Sequence, residues 1–177
     1  MRLAALATAL MALALSAAPQ SLAAAAPAQV PGAAGCAADD VGAVLCLING
    51  QRVAHGARPL RLDRRLSAVA RAHSADMVAH GYFDHSSRSG ASFATRIVRS
   101  GWTRHRRSWT LGEDLAWGTG QLGSPNGLVD AWMGSPPHRA VLLDRRYHVV
   151  GIGIAAGVPV AGADGSDGVT CTADFSS

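Results

Sequence analysis

The chain has 177 residues, 49% of them hydrophobic, with 16 basic side chains against 12 acidic ones and a formal net charge of +4. Every basic residue is arginine, and the acidic set holds a single glutamate, Glu113. The one dense basic run, Arg104-His105-Arg106-Arg107, has neither interleaved aromatics nor a repeated basic helix, so it reads as a solvated loop and no nucleic-acid partner is expected.

Residues 1–26 carry Arg2, an apolar run from Leu3 to Leu15 and small residues from Ser21 to Ala26, the pattern of a cleaved secretory signal. Ser16, Pro19 and Gln20 interrupt the run before it reaches the ~20 apolar residues of a membrane span, so no stable membrane insertion is expected after cleavage. Residues 27–38 form an Ala-, Pro- and Gly-rich linker, and residues 39–177 have the size of one domain, expected to be a secreted, extracellular monomer. Three cysteines in an exported chain suggest one disulfide. Cys36 with Cys46 is the pairing expected, leaving Cys171 reduced, and Cys46 with Cys171 is its rival.

A first helix is predicted from an Asp39/Asp40 cap to about Ala54, with Val41, Val44, Leu45 and Ile48 at helical spacing and Gly56 beyond its end. A second starts after an Asp63 cap and stops at Gly81, with Leu66, Ala70, His73 and Met77 on its buried face. His73, Asp76 and His80 could be read together as metal ligands, but a core histidine donating to a carbonyl and a surface pair at i and i+4 account for them better. Tyr82-Phe83-Asp84-His85-Ser86 then presents an aromatic pair and a histidine off a helix end.

A short helix is predicted over 93–99, with Phe93 and Ile97 on one side. In Leu111-Gly112-Glu113-Asp114-Leu115-Ala116-Trp117-Gly118 the sole glutamate lies within apolar residues, where a carboxylate is costly unless paired, so it is read as having a role. Another helix runs from Ser124-Pro125-Asn126 to Met133 with Val129 and Trp132 inward. Pro136-Pro137 forbid its continuation and open a new turn that holds His138, where the helix-start amides favour a neutral imidazole. Two strands, Tyr147 to Ala155 and Val169 to Asp174, flank a turn-rich loop and form a hairpin, so the class is α+β. Gly151-Ile152-Gly153 lies inside a strand with no helix after it and is no dinucleotide fingerprint.

His73-Ser74-Ala75-Asp76-Met77, Gly81-Tyr82-Phe83-Asp84-His85, Gly112-Glu113-Asp114-Leu115-Ala116, Ala131-Trp132-Met133-Gly134-Ser135-Pro136-Pro137-His138-Arg139 and Val150-Gly151-Ile152-Gly153 occur in an order that resembles secreted bacterial CAP-domain proteins. That superfamily includes cysteine-rich secretory proteins, antigen 5 and plant pathogenesis-related proteins of group 1. The resemblance implies an α-β-α sandwich with a central antiparallel sheet, and hence a further strand near Leu111 to Trp117. It also implies a cleft holding His85, Glu113 and His138, supported from behind by His73, Asp114 and Trp132. Asp114 stands where the family has Asn and Pro137 where it has Gly, and no second glutamate is present for the four-residue eukaryotic set.

Two imidazoles and a carboxylate suit zinc or another divalent cation, so His85, Glu113 and His138 are the expected metal ligands if a cofactor is used at all. A binding role for a small ligand or cell-surface polymer is expected ahead of metal-assisted hydrolysis of peptide or cell-wall polymer, and lipid or sterol carriage ranks last. Were the three residues one site, removing Glu113 would lower the proton affinity of both histidines.

Overall fold

The computed structural model describes residues 40–161 and 167–177; the expected signal and linker, Cys36 and Asp39 lie outside them. Helix α1 spans Asp40–Ala54, β1 Arg61–Leu62, α2 Arg64–His80, α3 Phe93–Arg99, β2 Leu111–Thr119, α4 Pro125–Gly134, α5 Pro136–Leu142, β3 Val149–Ala156 and β4 Gly168–Ser176. The boundaries of α2 follow from its caps. Asp63 accepts from the amides of Arg65 and Leu66 to start the helix, and Gly81, at φ 61°, ends it in the left-handed region that glycine enters without strain. Among the described residues no helix is long and apolar enough to cross a membrane.

The sheet order is β1-β3-β4-β2. The three long strands are antiparallel, as the resemblance implies, and the two-residue β1, which the sequence did not signal, adds a parallel edge at Val149 and Val150. Strand alternation gives the sheet two unlike faces. Val150, Ile152, Cys171, Ala173 and Phe175 join Val44 and Ile48 of α1, Leu128 and Trp132 of α4 and Leu142 of α5 in the main core. On the other face lie Gly151, Gly153, Thr172 and Asp174, and α2 packs there. A Cβ on Gly153 would strike the backbone of Ala70 and Arg71, so the glycines let helix and sheet approach closely. The Ser74 hydroxyl meets Gly153 O at 2.9 Å and Thr172 Oγ1 at 2.8 Å across this contact.

Arg52 is fully buried on the apolar side. It donates to the carbonyls of Arg58 (2.8 Å), Leu142 (2.6 Å), Asp144 (3.1 Å) and Tyr147 (3.2 Å), tying α1 to the chain that leads into β3. Cys171 is a free, fully buried thiol, which removes its pairing with Cys46. Within the basic loop Arg106 stacks its guanidinium 3.7 Å over the Trp102 ring, while its neighbours are exposed.

Candidate functional site

Strand β2 is an edge of the sheet, and it carries Glu113 on the α2 face, directly across from Asp174 of β4. The turn after α2 brings His85 over that edge, and its Nδ1–H donates to Glu113 Oε1 at 2.8 Å. Helix α3 supplies Arg96, which forms an ion pair with Glu113 Oε2 and donates from Nη1 to the carbonyls of His85 at 2.7 Å and Ala91 at 3.3 Å. The Glu113 side chain is 0% exposed and that of His85 is 51% exposed, so the carboxylate is enclosed and only the imidazole reaches solvent. The bond to Glu113 raises the His85 pKa against the opposing effect of burial.

His138, the third position of α5, faces the same opening without a bond to Glu113 among the described residues. Its pKa is lowered by burial first and by the neighbouring His85 second, so the two imidazoles are shifted in opposite directions. The shift favours the neutral form, with burial and His85 as its causes rather than the helix-start amides. Glu113 acts on His85 through the hydrogen bond, whereas the charge that His138 feels is that of His85.

The three residues expected behind the cleft have separate roles. His73 is buried and its Nε2–H donates to Asp84 O at 2.9 Å, fixing the turn that carries His85. Trp132 donates from its indole to Leu115 O at 3.0 Å. Asp114, one residue along the strand from Glu113, points to the opposite face and away from the cleft. It is buried with both oxygens unpartnered, and burial pushes its carboxyl up to about 8. The His73, Asp76 and His80 set is no metal site: His73 is engaged by the turn, His80 pairs with Asp76 at 2.9 Å, and Tyr82 also bonds Asp76.

Two residues join the site unannounced by the sequence. Arg96 drew no reading within the short 93–99 helix, and Asp174 reads there as a strand end. Alternation along Thr170-Cys171-Thr172-Ala173-Asp174 does put Asp174 on the Thr172 face, but its pairing with Glu113 depends on register, which sequence leaves open. Asp174 is fully buried, and burial together with the Glu113 charge holds its carboxyl well above the usual range.

Beside the histidines runs an open groove of about 240 Å³, lined by Phe83, Leu115, Ala116, Trp117, Ala131, Trp132, Ser135 and His138. The bond from Trp132 to Leu115 O identifies the odd-numbered residues of β2 as those that turn their backbone groups away from β4, because antiparallel pairs alternate. The groove floor is thus a strand edge, flanked by Phe83 and Trp117 at 44% and 42% exposure.

The donor set does not fit a divalent metal. Both Glu113 oxygens are engaged, one by a permanent cation, and among the described residues no three His, Cys, Asp or Glu side chains converge to hold an ion. His85 and Glu113 meet as an imidazole and an arginine-bound carboxylate, and His138 lies close enough to His85 to feel its charge.

The family model for CAP, the cysteine-rich secretory protein family, matches residues 45–171. The chain is 37% identical over 111 residues to "Uncharacterized protein YkwD" of Bacillus subtilis (strain 168), covering 62% of this chain and 40% of that protein. It is 32% identical over 111 residues to "Uncharacterized membrane protein YlbC" of the same strain, covering 63% and 30%. The chain thus spans less than half the length of either relative. Its fold is similar to an extracellular protein containing an SCP domain from Bacillus anthracis, with TM-score 0.60, 24% identity, and coverage of 77% of this chain and 39% of that one. An outer surface protein from Borrelia burgdorferi gives the same score at 19% identity, with coverage of 77% and 91%.

Proposed function

The chain belongs to the CAP, or cysteine-rich secretory protein, family, and on that premise we propose that it is a secreted, extracellular monomer whose cleft binds an extended segment of cell-surface polymer directly. The make-up of the groove carries this reading. It combines aromatic faces on Phe83 and Trp117, hydrogen-bonding groups on Ser135 and His138, and the outward backbone of Trp117 on one open edge. Such a surface suits a chain-like ligand with alternating apolar and polar parts. The groove has no basic helix to give purchase on nucleic acid.

Co-sedimentation with purified cell-wall polymer tests the proposal. Trp117→Ala and His138→Ala are each expected to weaken retention about tenfold or more. Full retention by the double variant would remove the cleft from the binding site. Export is tested by mass spectrometry of the culture medium, where a chain beginning near Ala24 to Ala28 is expected and an intact Met1 is not.

One observation favours the hydrolytic reading: Asp174 supplies a second carboxyl beside Glu113. Both acids are enclosed, however, with no exposed side-chain surface on Glu113, so neither meets a substrate bond. Glu113 acts through His85, as a positioning residue. Equal product from wild type and His138→Ala on peptidoglycan or a peptide pool would exclude the cleft as a catalyst. A lipid or sterol carrier ranks below both, since an open groove of about 240 Å³ lies under the roughly 300–1,000 Å³ usual for enclosed small-molecule sites.

A further inference from the structure

We propose that the outer edge of β3, beyond the point where β1 leaves it, takes up an extended peptide of alternating acidic and apolar residues from a partner protein. This edge is at the opposite end of the sheet from β2 and the cleft. β1 pairs only with Val149 and Val150, whereas β3 runs on to Ala156 with no other strand on that side among the described residues. The direction of the backbone groups there follows from two bonds. Val150 O accepts from the Asp63 amide and the Ile152 amide donates to Ser67 Oγ at 3.2 Å, so the even-numbered residues of β3 turn their backbone groups away from β4. Ile154, the next in that series, therefore offers its N–H and C=O to the open side.

The backbone of Ile154 faces an open groove of about 370 Å³ whose lining includes Val41, Leu62, Arg64, Arg71, Ile152 and Ile154. A strand laid along it would send alternate side chains to opposite faces of the sheet, and those faces differ in chemistry. On the side of α1 it meets the aliphatic groups of Val41, Ile152 and Ile154, which adjoin the main core. On the side of α2 it meets Arg64 and Arg71, two helical turns apart and both exposed. Neither guanidinium has an ion-pair or hydrogen-bond partner among the described residues. Two free cations on one side and aliphatic surface on the other match a segment in which carboxylates alternate with apolar side chains. Backbone bonds to the edge would supply affinity, and the two rows of side chains specificity.

A short synthetic peptide of alternating glutamate and valine, blocked at both ends, is titrated into the purified full chain while amide NMR spectra are recorded. Saturable shifts centred on Ile154 are expected, with slower hydrogen exchange at its amide. Arg64→Gln combined with Arg71→Gln, two exposed changes that leave the core intact, is expected to weaken binding about tenfold. The same peptide with lysine in place of glutamate is expected not to bind. N-methylation at either the valines or the glutamates removes the donors that face β3, so one of those two peptides is expected to lose about tenfold. No saturable binding of the parent peptide would overturn the proposal, as would equal binding of the lysine peptide or full binding by both methylated ones. A fatty carboxylate that shifts the same resonances when the peptide does not would give the groove to lipid instead. An Ile154 amide already protected in the free protein would mean that a second copy, or residues 27–39 of the same chain, holds the edge, and would also overturn it. Retention on cell-wall polymer is read separately and is expected to be the same in the arginine variant as in wild type.

Discussion

The two faces of the sheet are built from the same strands and each engages one arginine, yet they differ in almost every physical respect. The face toward α1, α4 and α5 carries Val150, Ile152, Cys171, Ala173 and Phe175, and its arginine, Arg52, is satisfied by four neutral carbonyls. The face toward α2 carries Gly151, Gly153, Thr172, Asp174 and Glu113, and its arginine, Arg96, is held by a carboxylate at the rim of a cleft. Carbonyls cannot leave, titrate or exchange partners, so the first arrangement only joins segments. A carboxylate shared by an arginine and an imidazole is linked to whatever the imidazole touches. One face therefore supplies stability, and the other, thinned by glycine and loaded with acids, holds the chemistry.

The strongest way to break that division is at Arg52. Arg52→Ala strips the partner from four carbonyls, two of the bonds lying in buried surroundings, and is expected to cost about 4 kcal/mol. Chemical denaturation of the variant checks it, with the histidine spectrum of any folded fraction unchanged. Next comes Gly153→Ala, which drives a methyl group into the backbone of α2 and is expected to cost about 3 kcal/mol while displacing Ser74 from Thr172. A loss under about 0.5 kcal/mol would mean that close helix approach is not what the glycine provides.

Asp114 is an acid stranded on the apolar side, and it sharpens the contrast. Its carboxyl is raised to about 8 in the fold from an ordinary value of 3.8, so the unfolded chain releases this proton at lower pH than the folded one. Its contribution to stability thus declines as pH rises from about 4 to about 8. Asp114→Asn is expected to stabilise the protein by about 1–2 kcal/mol at pH 7 and to have little effect at pH 4, measured by denaturant midpoints at both.

The smallest effect is the most specific to the cleft. In Glu113→Gln the His85 pKa is expected to fall, because its hydrogen bond to a carboxylate is lost. The His138 pKa is expected to rise, because a neutral His85 no longer repels its proton. NMR titration would show the two moving in opposite directions; parallel shifts would contradict the arrangement. The raised His85 pKa stabilises the fold below the unfolded value of about 6.5, and that contribution disappears as pH rises through the folded value.

Much of this was legible in the residues. Asp63 and Gly81 delimit α2 through cap chemistry that is local, and Pro136-Pro137 force the break that presents His138. His85, Glu113 and His138 stood out because each belongs to a short segment with its own signature. Arg96 carried none, being one of two arginines on a seven-residue helix, and its meaning arises only when α3 is laid against β2. Asp114 misled for the opposite reason. It was expected to support the cleft from behind, whereas strand alternation sends it to the opposite face from Glu113. The β1 edge was missed because two residues are too short to show any period.

The indole of Trp132 closes one carbonyl on the outer edge of β2, and that single bond has a bearing on colloidal behaviour. A nine-residue edge strand with free backbone groups is a template on which another chain can lay itself down. With α4 docked, the edge is capped at Leu115. In Trp132→Phe, which keeps the packing but lacks the N–H, copies of the chain are expected to associate edge to edge at high concentration. Light scattering would register that growth, and a ligand lying along β2 would suppress it, so occupancy of the groove would double as protection of the protein against its own aggregation.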